Sequence, residues 1–236
     1  MKNVEREVLR EIIRSLELAV EKLDTFTEKW NETVRESIGT VRVITDIGFQ
    51  LLYSEKELGV LEEFPDLSEK LKAKLYMILY EQLVPSLDKA YNIFSHLLNM
   101  TSEIKAHLDA VESLLDKYSN ISMIGDKVVD IVRVIIKEIR RIINMYEKSF
   151  EVKTAIRDAI INTEPTPIEL TNYFTVWRVE PYIDTEAIKQ SKREIDAGLE
   201  YLQAVFEEVL EGPSFLSPFF KYEKETVNKT GSKRRL

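Results

Sequence analysis

The chain has no cysteine in its 236 residues, and only two histidines, seven glycines and seven prolines. Without cysteine there is no disulfide, no thiolate metal site and no thiol nucleophile, a usage that suits a reducing compartment. The two histidines, His96 and His107, fall on one predicted helix. They share a face but stand roughly 16 Å apart, too far to hold one metal ion between them. A di-metal bundle of the ferritin type needs Glu three residues before its histidines, and Ile93 and Ile104 occupy those places. Phosphate-binding glycine loops, H-E-x-x-H and G-x-S-x-G are all missing, so no catalytic constellation and no cofactor is expected, and the chain reads as a non-enzyme.

Long apolar runs are missing too. The most apolar stretch, VVDIVRVIIKEIRRII at 128–143, is interrupted by Asp130, Arg133, Lys137, Glu138, Arg140 and Arg141, far from the roughly 20 apolar residues that a membrane helix needs. The opening MKNVEREVLREIIRS is charged from its second residue and is not expected to act as a secretory signal. Nor is there an excess of positive charge: a net charge of -8 argues against a nucleic-acid surface spread over the fold. The ridge KEIRR at 137–141 is expected to be a solvated helix face.

What is present is helical pattern. With 44% hydrophobic and 31% charged residues the chain should fold, and the dominance of Leu, Ile, Val, Glu and Lys predicts an all-α protein. Leu9, Leu16, Leu23, Trp30, Ile44 and Leu51 lie on one seven-residue line, joined by Ile13, Val20, Val34 and Val41 four residues after members of that line. Thr27, Ser37 and Gly48 break the register. One helix from about 3 to 57 is predicted, roughly 80 Å long and in need of partners of similar length. Pro65 ends it, with Asp66 or Ser68 capping a second helix to about 118 that Pro85 should kink or split. A turn at 118–126 leads to a third helix, about 126–162, whose Val128, Val132, Ile135, Ile139, Ile142 and Tyr146 form a broad stripe. Three long helices with short connections predict an elongated antiparallel three-helix, coiled-coil-like bundle over 1–162. After TEPTP, a short helix over 168–179 and another from Asp184 or Thr185 to about 211 form a segment, 163–211, expected to pack on or beside the bundle. Residues 212–236 read as a flexible tail.

The short helix carries LTNYFTVWRVEPYI at 170–183. Tyr173 and Trp177 are four apart and share a face, and Pro181 and Tyr182 follow where the helix must stop. Such an aromatic wedge either packs onto the bundle end and covers its apolar rim or forms a docking patch for another protein. The last five residues, SKRRL, offer a second candidate. Lys233, Arg234, Arg235 and Leu236 form a basic cluster of the nuclear-import kind, ending in an Arg-x-Leu form like the docking peptides that cyclins recognise.

The spacing Tyr173-x-x-x-Trp177-x-x-x-Pro181-Tyr182-Ile183 resembles the C-terminal signature of the cyclin-dependent kinase 2-interacting protein family, known as CINP. Met145, Tyr146, Lys148 and Lys153 are similar to that family's Met-Tyr-x-Lys run with its following Lys, and Lys29-Trp30 resembles its early Lys-Trp. The likeness covers 145–183 and agrees only in helical pattern before that. It implies a non-enzymatic helical adaptor, nuclear and partly cytoplasmic, working as a subunit of a hetero-complex. The implied partners are cyclin-dependent and replication-initiating kinases, a checkpoint kinase through its interacting subunit, and a AAA-type ATPase assembly in large ribosomal subunit maturation and replisome turnover. It brings no catalytic residue. The competing expectation is a structural coiled-coil subunit of another complex, of kinetochore or vesicle-tether type.

Overall fold

A computed structural model describes residues 2–55, 64–119, 125–163 and 165–211, and every regular element among them is helical. The helices are α1 (Lys2–Glu55), α2 (Pro65–Ile78), α3 (Val84–Ser119), α4 (Asp126–Asn162), α5 (Pro167–Val179) and α6 (Thr185–Glu211), with a π turn at Leu79–Leu83 between α2 and α3. The all-α class follows directly, and each expected helix is present within two residues of its expected ends. The 212–236 tail, with its SKRRL cluster, and most of the 118–126 turn lie outside the described residues.

Pro85 neither breaks nor splits the second limb. The ring forbids an ordinary α-helical hydrogen bond at its own nitrogen, and just before it the helix widens into a π turn, in which Val84 N–H donates to Leu79 O five residues back. The start of that limb differs from expectation. Phe64 is the non-helical flanking residue, Pro65 is the first residue of the helix, and no side chain caps it, so neither Asp66 nor Ser68 serves. Proline needs no cap for the donor it lacks.

The arrangement has a fourth limb. α1 packs along α3, α3 along α4, α4 along α6, and α6 back along α1, while α5 lies on the C-terminal half of α1. Cross-limb pairs fix the directions. Lys22 meets Glu103 and Trp30 meets Phe94 between α1 and α3. Lys105 meets Glu147 and Arg157 meets Asp88 between α3 and α4. Lys192 meets Asp24 and Gln203 meets Glu17 between α6 and α1. Neighbouring limbs are therefore antiparallel, an up-down-up-down bundle in which α5 and α6 together make the last limb. The C-terminal helices are a wall of the bundle and not an appendage to three helices. Their small residues show why they fit: a Cβ at Gly198 would come within 2.8 Å of Ile135 on α4, and one at Gly48 would come 2.0 Å from Leu170 on α5.

The α1 line is buried along its length, Leu9, Leu16, Leu23, Trp30, Ser37, Ile44 and Leu51. On α4 two such lines are buried, Val132, Ile139, Tyr146, Lys153, Ile160 and Val128, Ile135, Ile142, Ser149, Ile156. The broad stripe expected there faces α3 on one side and α6 on the other.

Candidate functional site

Three polar residues interrupt these core lines at one level of the bundle: Ser37 on α1, and Ser149 and Lys153 on α4. Opposite them the fourth limb breaks. α5 ends because Pro181 cannot continue it. Glu180, at the junction, takes the left-handed conformation with φ 49° and is the only described non-glycine residue with positive φ. Its N–H still donates to Val176 O at 3.0 Å, and its carbonyl accepts from Ile183 N–H at 2.8 Å, which turns the chain sharply. Asp184 then caps α6, its carboxylate accepting from the N–H groups of Glu186 and Ala187. At its other end α5 is started by a capping box between Thr166 and Glu169.

That backbone turn drives the Glu180 side chain inward. One carboxylate oxygen, Oε1, accepts from Trp30 Nε1–H at 2.9 Å, from Ser149 Oγ–H at 3.1 Å and from the Lys153 ammonium at 3.1 Å. Lys153, 1% exposed, donates also to the Trp177 carbonyl at 3.2 Å and lies over the rings of Trp177 and Phe94, 4.6 and 5.2 Å from their centroids. Trp177, equally buried, sends its Nε1–H to Ser37 Oγ at 3.0 Å, and Ser37 in turn donates to Val34 O. Tyr146 closes the layer edge-on to Phe26 and Trp30. A buried ion pair is thus surrounded by indole and phenyl rings, and both Glu180 Oε1 and the Lys153 ammonium have a hydrogen-bond partner besides each other.

The electrostatics follow from the burial. Desolvation pulls the Lys153 ammonium below the usual lysine range, and the Glu180 carboxylate opposes that shift. Burial, with a smaller contribution from the same carboxylate, pushes the Tyr146 phenol well above its ordinary value. The two shifts favour the neutral form of each group: the phenol of Tyr146 is kept protonated, while the Lys153 ammonium is disfavoured by burial and supported by the carboxylate beside it. The arrangement can lock helix register and aim the residues after Glu180 outward.

The sequence-predicted site residues divide across this layer. Trp177 is interior and Tyr173 is half-buried against the core, while Pro181 and Tyr182 face solvent, Tyr182 with 47% of its surface exposed. The wedge therefore sits at mid-bundle, against the centre of α1, not at a bundle end. No local pattern marks Glu180 and Ser149 as members of this layer, and three charged residues, Glu138, Lys153 and Glu180, are buried. Glu138 is held by Ser191 at 2.6 Å and by Arg141. The KEIRR ridge is partly neutralised, with Arg140 bridging Asp109 and Glu112 on α3. His96 is exposed on α3, on an open face lined by Pro85, Asp88, Lys89, Asn92 and Ile93. Among the described residues no cluster of histidine and carboxylate side chains is placed to hold a metal ion, and no helix is long and apolar enough to cross a membrane. No protein-family model, curated protein or solved structure matches the chain.

Proposed function

We propose that this protein is a non-enzymatic helical adaptor of the kind the CINP resemblance implies, a rigid bundle that presents the Pro181-Tyr182 corner to a partner protein. One observation carries the reading. Trp30, Tyr146, Lys153 and Trp177, four of the residues that carry the resemblance, come from three helices and meet in one buried layer around Glu180. Their meeting at one point supports reading them together as one three-dimensional element. In this element Trp177 and Tyr173 hold α5 in place, and Tyr182, with exposed Val179 and Pro181 beside it, is what a partner reaches. Aromatic residues held rigidly at a surface suit such contacts.

Affinity capture of the tagged protein from its own cells, with Tyr182→Ala alongside, tests this reading. Recovery of a AAA-type ATPase or of cell-cycle and checkpoint kinases, reduced by Tyr182→Ala while helicity by circular dichroism is unchanged, is the expected result. Recovery of coiled-coil proteins alone, indifferent to Tyr182, would replace the adaptor by a structural subunit of another complex.

A further inference from the structure

α4 is covered by α3 on one flank and by α6 on the other. Arg140 and Glu147 reach across to α3, and Glu138 meets Ser191 on α6. The strip left outward between Asp130 and Glu151 carries Arg133, Val134, Lys137, Arg141, Asn144 and Lys148, all exposed. No unpaired carboxylate interrupts it, because Glu138 is buried against Ser191 and Glu147 is held by Lys105 at 2.6 Å.

Arg133, Lys137 and Lys148 are in no ion pair with a described residue. Arg141 touches buried Glu138 at 3.3 Å, and half of its side chain still meets water. Cations four residues apart, as Arg133, Lys137 and Arg141 are, stand roughly 6 Å from one another along the axis and disfavour the helix by repulsion. The outward face of α1 avoids that cost by mixing signs, with Lys29 and Arg35 among Glu28, Glu32 and Glu36. In a chain with a net charge of -8, a single-sign positive strip stands apart from the rest of the surface.

We infer that this strip is a docking surface for an acidic helix of another protein, whose carboxylates recur one turn apart along one face. Two helices lying side by side present side chains at the same interval, so opposite charges match along the roughly 22 Å from Arg133 to Lys148. A partner of that sign turns the repulsion within α4 into attraction. Two features favour a protein over a nucleic acid. Val134, 44% exposed within the strip, offers an apolar contact for which a phosphate backbone has no use. The strip is also one helix wide and bounded by carboxylates, Asp130 and Glu151 on α4 and Asp109 and Glu112 on α3, which would repel a phosphate chain running past it. Exposed contacts of this kind give a weak complex that salt dissolves. The inference does not rest on the adaptor reading, whose Pro181-Tyr182 corner belongs to the fourth limb.

Fluorescence anisotropy tests it, with the full chain titrated into a labelled helical peptide of about 20 residues that carries glutamates four apart along one face and leucines beside them. The expected result is micromolar binding at about 50 mM salt that weakens about tenfold or more at about 0.3 M. Arg133→Glu with Lys137→Glu should weaken it about tenfold or more without changing helicity, since neither side chain has an ion-pair partner to lose. Arg14→Glu with Arg35→Glu on α1 changes the net charge equally and should leave binding within about threefold. Equal losses in the two variants overturn the inference, because the attraction would then belong to the overall charge. Absence of binding at about 50 mM salt overturns it too. Tighter binding of a single-stranded RNA of about 20 nucleotides, lost in the α4 variant, would give the strip to nucleic acid instead. Sedimentation without peptide covers the remaining occupant: a mass above 27.5 kDa that the α4 variant abolishes would give the strip to a second copy of this chain.

Discussion

Position 180 sets two physical preferences against each other. As the residue just past the end of α5, with φ 49°, it occupies the site where glycine is the usual choice, and a side chain in the left-handed region costs about 1–2 kcal/mol. If termination of α5 were its only role, Glu180→Gly would stabilise the protein by about that amount. The side chain argues the reverse. Its removal leaves Lys153 as a buried cation without a counter-charge, and the Trp30 indole N–H and Ser149 hydroxyl without their acceptor. Breaking a buried pair from one side costs about 3–5 kcal/mol. The balance is a net loss of about 1–4 kcal/mol, a fall in Tm of about 2–16 °C for a chain of this size. Urea unfolding followed by circular dichroism measures it. Intrinsic fluorescence reports the same site, because the only two tryptophans, Trp30 and Trp177, both touch it. Glu180→Gly with Lys153→Met removes both charges, leaves no orphaned ion and should be less destabilised than Glu180→Gly alone. A Glu180→Gly protein as stable as the parent would refute the reasoning, since it would mean that the ion pair adds nothing beyond its own desolvation.

Three further outcomes follow from neighbouring contacts. Ser37→Ala strands the Trp177 indole N–H in the core and should lower stability by about 1–3 kcal/mol in a denaturant titration, with Trp177→Ala costing more, about 3–5 kcal/mol, through the cavity it leaves. Gly48→Leu should push α5 off α1, because even a Cβ there collides with Leu170; the loss, about 1–3 kcal/mol from overpacking, should exceed the roughly 1 kcal/mol gained in helix propensity. Tyr146 remains a phenol in the folded state at a pH where an unfolded tyrosine, near its ordinary value of about 10, ionises. The unfolded chain then binds fewer protons than the folded one, so stability falls as pH rises above about 10. Lys153, shifted downward, contributes with the opposite sign over a lower range. Comparison with Tyr146→Phe separates the two, and that variant should lose the alkaline decline when stability is measured against pH.

The sequence announces helices better than their partners. The limits of α1, α4 and α6 were legible because apolar spacing, prolines and Asp184 are local signals that act within a turn or two. The fourth limb was not legible in the same way. α5 and α6 are separated by a proline turn, and nothing local says that two helices on either side of a break run on along the same wall. The clue lay instead in positions read as defects. Ser37 and Gly48 break the apolar register of α1 at the places where Trp177 and Leu170 of α5 arrive, one as a hydrogen-bond acceptor and one as space. Lys153 and Ser149 do the same on α4, each standing on a seven-residue line whose other members are buried. A lysine on such a line cannot reach solvent, so it requires a carboxylate from another element. The closeness of Lys153 to the Glu180-Pro181 break in space follows from chain geometry that no local pattern encodes. Buried polar groups of this kind are a poor source of stability, since apolar residues of the same shape could fill the layer at no greater cost. Their value is that only one register of α1, α4 and α5 satisfies Trp30, Ser149, Lys153 and Trp177 together. A slip by one turn would bury a charge unpaired, so the layer selects the single alignment in which Pro181 and Tyr182 emerge at the surface.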